Sequence, residues 1–158
     1  MPIAFRWAVR VLLVLLFLFS LLVEGYFVPR LGLDVVHVFP EAWDLFVPAL
    51  VWSILFIGCG QAILVVVWRL VSLVARERIF SSAAVPWVRA LIVVAVIALV
   101  LLVAAFVALS VREYTPPLAM YGLIGLFLLC LTFALVVWTM LGLLRRSTRF
   151  HDELEEVI

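Results

Sequence analysis

The feature that most constrains this chain is the spacing of its charges: four long apolar stretches run between them with scarcely a charge inside. A helix needs about 20 such residues to cross the hydrocarbon of a bilayer. The expected spans cover residues 7–27, 46–75, 88–110 and 118–144; the second is apolar as far as Trp68, with its helix carried on to Ala75. Backbone groups in lipid find no water to bond, so runs like these must be helices. A transmembrane barrel would alternate apolar and polar residues over strands of about ten residues, and no such alternation is present. A soluble fold is excluded by a composition that is 69% hydrophobic and 13% charged. Soluble domains are about 45–50% apolar and about 25% charged, and a domain of this size hides only about 70% of its chain surface.

The expected fold is therefore all-α. An integral membrane four-helix up-down bundle occupies residues 1–149, and a short acidic tail follows in 150–158. Short connections make consecutive helices antiparallel neighbours. Gly58, Gly60, Ala104, Ala108, Gly122 and Gly125 are small residues at which helices can approach in lipid.

The first span is the shortest. Arg10 and Glu24 enclose a charge-free core of 13 residues, 11–23. Both side chains are expected to reach toward the two interfaces, as long side chains near span ends do. Arg6, Arg10 and that core also match a signal peptide, and Val23 and Gly25 make a weak cleavage pattern. With Met1 starting the chain, the expectation is a span that is kept.

Arginine sets the orientation. All eleven basic residues are Arg. Arg6, Arg10, Arg69, Arg76, Arg78, Arg89, Arg145, Arg146 and Arg149 fall on one side of the four spans, and only Arg30 and Arg112 on the other. Nine against two predicts that both termini are cytoplasmic, N-in and C-in. Trp7, Trp68, Trp87 and Trp138 then mark the inner interface, and Tyr26, Tyr114 and Tyr121 the outer one. Arginine to the exclusion of lysine points to a GC-rich bacterial genome, so the expected location is a bacterial cytoplasmic membrane.

On the spans so drawn, no ionisable residue sits mid-membrane, where such residues usually signal transport or proton relay. The polar residues there are Ser20, Ser53, Gln61, Thr132 and Thr139. Gln61 is the costliest, because its amide needs partners; the expectation is a helix–helix hydrogen bond, with a ligand or pore contact as the alternative. Cys59 and Cys130 read as small packing residues, a redox pair between the second and fourth helices being the remote alternative. His37 and His151 lie outside the spans, so no histidine pair can hold a haem. No phosphate loop or nucleophile elbow occurs. The chain is thus expected not to be an enzyme, and to use no cofactor, no metal and no nucleic acid.

Three polar segments remain. In the outer segment, residues 30–45, Asp34, His37, Glu41 and Asp44 recur at helical spacing and would share a face able to hold a divalent metal. Pro40 argues against an uninterrupted helix there, and the preferred reading is an interfacial segment. In the inner connection, ARERIFSSAAVPW (75–87), Ser81 or Ser82 can cap the third helix and Pro86 can sit in its first turn. Ile79 and Phe80 lie apolar between charges, and Arg76, Arg78 and Arg89 satisfy the positive-inside pattern or meet lipid phosphates. In the tail, RRSTRFHDELEEVI (145–158), Phe150, Leu154, Val157 and Ile158 form one helical stripe between acidic residues. Membrane-surface helices are normally basic on the polar face, so this stripe suits a protein surface better than a lipid one.

Three stretches also carry a family likeness: FPEAWDLFVP at 39–48, WRLVSLVARERIFSSAAVPWV at 68–88, and DELEEVI at 152–158. They resemble the bacterial membrane family catalogued as domain of unknown function 2975, particularly its actinobacterial members. The resemblance implies the four-span topology and supplies no activity. The function expected from the residues is that of a non-catalytic accessory or regulatory subunit. It would act through protein contacts at Arg76, Arg78, Ile79, Phe80, Arg89, Phe150, Leu154, Val157 and Ile158, in a homo-oligomer or larger membrane complex. The alternative is a small transporter or channel-forming oligomer lined by Ser53, Gln61 and Thr132.

Overall fold

The computed structural model describes the backbone of residues 3–74, 84–113 and 115–155, and the side chains of 7–73, 84–113 and 115–144. Every element among them is helical: α1 (Ile3–Leu22), a π turn (Val23–Phe27), α2 (Val28–Val38), a 3-10 turn (Pro40–Ala42), α3 (Trp43–Val74), α4 (Val85–Val111) and α5 (Pro117–Glu155). Four stretches are long and apolar enough to cross a membrane, Trp7–Val38, Pro40–Leu73, Val85–Val111 and Pro117–Leu144. The protein is a multi-pass membrane protein. Its surface fits that description: Leu12, Leu55, Val100 and Leu129 are all more than half exposed, and among the described residues no buried side chain is polar or charged.

The chain divides into two compact units, residues 1–64 and 65–158. In the first, the helix does not stop near Phe27. It passes through the π turn into α2 and ends only at Val38, so Trp7–Val38 is 32 residues long. Proline explains both irregularities. Pro29 has no amide hydrogen and its ring crowds the carbonyl four residues back. The helix widens just before it, and the Val28 amide bonds the Val23 carbonyl five residues back. Pro40 then breaks the chain, as expected: Phe39 leaves helical geometry at φ −125°, ψ 81°, and the 3-10 turn restarts the helix toward α3. Beside this corner the Phe46 ring lies so close to Gly32 that a Cβ there would sit 2.7 Å from it. Phe46 in turn stacks on Trp43, with ring centroids 5.9 Å apart.

The second unit is built on α4 and α5, which pack along one another. The buried residues of α4 are Leu91, Ile92, Ala95, Ala98 and Leu102, and Val137 and Leu141 are buried on α5. Their spacings of three and four put them on one stripe of each helix. Helix α4 starts without a hydroxyl cap. Ala84 holds the cap position and makes no side-chain bond, while Pro86 stands in the first turn. Proline there needs no amide partner and already has helical φ; Ser81 and Ser82, the expected caps, lie outside the described residues. At the other end, Glu113 turns the chain with φ 56°, and Pro117 opens α5.

Candidate functional site

Most hydroxyls in these helices are satisfied within their own turn. Ser20 donates to the carbonyl of Phe17, Ser53 to that of Ala49, Thr132 to that of Leu128 and Thr139 to that of Val136, all at 2.8 Å. Serine and threonine can fold back on the helix backbone in this way. Two of the three polar residues expected to line a pathway, Ser53 and Thr132, are therefore locally bonded.

Gln61 is different. Its Nε2 donates to Oε2 of Glu24 at 2.7 Å, joining α3 to the π turn across 37 residues of sequence. Both residues are half-buried. Two things bring Glu24 there. Continuation of the helix to Val38 makes it an interior residue of a longer stretch, not the end of a short one. The extra residue of the π turn also rotates the side chains that follow Leu22 relative to those of α1. Such single π turns inside α-helices are frequent at functional sites.

The helix does not end just after Glu24, at Phe27, but continues to Val38. The arginines on either side of it are Arg10 and Arg30, with 19 residues between them. At 1.5 Å per residue that is about 28 Å, close to the thickness of the hydrocarbon. Glu24 lies six residues inside Arg30 and is the one charged side chain in that interval. Acidic residues within spans are costly and usually paired. Gln61 meets the Glu24 carboxyl with a neutral donor and contributes no positive charge.

The other sequence candidates sit elsewhere. Asp34 faces Arg30 one turn away on α2, at 4.0 Å, with both side chains well exposed. The end of α2 at Val38 leaves Asp34 and His37 on one element, Glu41 in the 3-10 turn and Asp44 on α3, so they share no helical face. Among the described residues no three such side chains gather as metal ligands would. Arg69, near the end of α3, holds its guanidinium 5.6 Å from the centre of the Trp87 ring on α4, within cation–π range. Arg89 follows on α4. Arg76, Arg78, Ile79, Phe80, Val157 and Ile158 lie outside the described residues. Phe150 and Leu154 fall on the described backbone of α5, beyond the described side chains.

The structure thus brings together Gln61, which the sequence singled out, and Glu24, which it did not. The signal that could have found Glu24 was Arg30, which completes a span-length interval with Arg10.

A family model described as "Protein of unknown function (DUF2975)" matches residues 31–158. No curated protein and no solved structure matches the chain. The matched region takes in Gln61 and the whole of α3, α4 and α5, and begins seven residues after Glu24.

Proposed function

The chain belongs to the protein family of unknown function DUF2975, and from that premise, which brings no activity, we propose that it is a non-catalytic membrane subunit acting through protein contacts, as an accessory or regulatory component. The observation that carries this reading is the length of α5. The helix continues from the apolar stretch ending at Leu144 to Glu155. Eleven further residues at 1.5 Å each project about 16 Å past that stretch. A continuous helix is what the spacing of Phe150 and Leu154 requires in order to offer one face to a partner. With nine arginines on that side of the spans, the projection is assigned to the cytoplasm of a bacterial cell. The acidic residues among 152–156 suit a basic partner surface, including the chain's own 76–89 connection in a second copy.

The test is removal of residues 150–158. The truncated protein is expected to keep its helical content and thermal stability while migrating in smaller complexes from native membranes. Identical complexes for the truncated and full-length proteins would reject the reading.

A second reading, a small transporter or channel-forming oligomer, draws on one observation, the Gln61–Glu24 hydrogen bond between two spans. Reconstituted protein giving solute or ion flux that is lost in Gln61→Leu would replace the first reading with this one.

A further inference from the structure

Glu24, on a helical turn whose backbone ladder is interrupted, meets Gln61 of α3, and we infer that together they form a binding site, inside the membrane-spanning length of the chain, for a small monovalent cation: a proton or a sodium ion. Three observations converge on it. The first is the carboxylate itself, the one charged side chain between Arg10 and Arg30, in a setting where intramembrane acids are retained for ions and protons. The second is its partner. The Gln61 amide reaches Glu24 at 2.7 Å, and an amide carries both a donor and an acceptor. It donates to the carboxylate as observed, and turned over it presents an oxygen to a bound ion. The third is the backbone. Pro29, in the first turn of α2, removes one amide hydrogen from the ladder beside the π turn, leaving one carbonyl there without its helical donor. Monovalent cations in membranes are held by such carbonyl oxygens of interrupted helices.

Among the described residues of this unit, no positively charged side chain is seen paired with Glu24. On its own helix, Arg10 and Arg30 are fourteen and six residues away, and Arg30 faces Asp34 instead. From α3 the residue bonded to Glu24 is the neutral Gln61. The nearest titratable side chain along α3 is Cys59, while Asp44 lies seventeen residues from Gln61. A cation from solution is the remaining counter-charge within this compact unit. Losing the 150–158 extension leaves this chemistry intact, so the site and the partner contacts stand or fall separately.

The experiment uses the full-length protein in lipid vesicles treated with N,N′-dicyclohexylcarbodiimide. This apolar reagent enters lipid and attacks carboxyl groups that carry a proton. Peptide mass spectrometry is expected to find the adduct on Glu24, with labelling that falls as the pH rises and is absent from Glu24→Gln. That variant keeps the size of the side chain and an oxygen to accept the Gln61 bond, so loss of label is not loss of fold. Gln61→Leu is expected to shift the pH at which labelling appears. Sodium chloride that protects Glu24 at constant pH, where choline chloride does not, identifies a sodium ion; equal labelling in both salts identifies a proton. No adduct on Glu24 at any pH overturns the site. So does a water-soluble carbodiimide that modifies Glu24 as readily as the exposed Asp34.

Discussion

At the scale of single residues, two side chains sit where their chemistry resists. Glu113 is the one non-glycine residue with positive φ among those described, at 56°, and it is exposed. It occupies the turn after α4, where glycine usually stands because a Cβ in this conformation meets the backbone. A left-handed residue costs about 1–2 kcal/mol, partly offset in a glycine variant by the looser unfolded chain. Glu113→Gly is therefore expected to stabilise the protein by about 0.5–1 kcal/mol, seen as a raised Tm in detergent, whereas Glu113→Ala is not. Glu24 is the second. The sequence read it as the closing charge of a 13-residue core, and charge spacing alone supports two brackets, Arg10 to Glu24 or Arg10 to Arg30. The helix itself runs past both, to Val38. Gln61 was legible because an amide in an apolar run always needs a partner; which partner was not, because the two residues are 37 apart on different helices.

At the scale of elements, the prolines organise what the hydrophobic pattern leaves open. Pro40 announced its break in the sequence, and the helix stops two residues earlier, at Val38. The π turn had no such mark. A single added residue in a helix leaves composition unchanged, and only Pro29 hinted at it. Restoring the amide should close the ladder. Pro29→Ala is expected to convert the π turn to regular α-helix and to rotate Glu24 away from Gln61 by up to about 100°, one residue of helical turn. The check is a double-mutant cycle on thermal stability. Gln61→Leu should cost roughly 0.6–2 kcal/mol in the natural background and close to nothing beside Pro29→Ala. Equal costs in both would mean that the turn does not hold the contact. Which small residue meets a neighbouring helix was not fixed by the sequence. Gly58, Gly60, Gly122 and Gly125 all have open space where a Cβ would be, and the glycine a neighbour presses on is Gly32, against Phe46. Small residues permit contact without specifying it, and the corner at Pro40 decides which one is used.

At the scale of the whole molecule, the four apolar helices and the all-α class were legible from length and charge alone, since lipid leaves the backbone no other arrangement. The direction of insertion that the arginine count predicts has its own check. Reporter fusions at the N-terminus and after residue 158 are expected to be active only in the form that requires the cytoplasm, and a fusion in the 112–116 connection only in the form that requires the exterior. Moving arginines is the stronger version: Arg76 and Arg78 to Gln, with two Arg added beside Arg112, should produce a mixed population.

The length of α5 has a mechanical side. The helix spans 39 residues from Pro117 to Glu155, about 58 Å of continuous rod against about 30 Å of hydrocarbon. Spans adjust to bilayer thickness by tilting, and a rod without a joint at the interface must swing its free end when its buried part leans. A change in tilt of about 10° displaces the last turn sideways by about 3 Å relative to Leu144. A partner gripping its tip would in that case feel the thickness and tension of the lipid around its base.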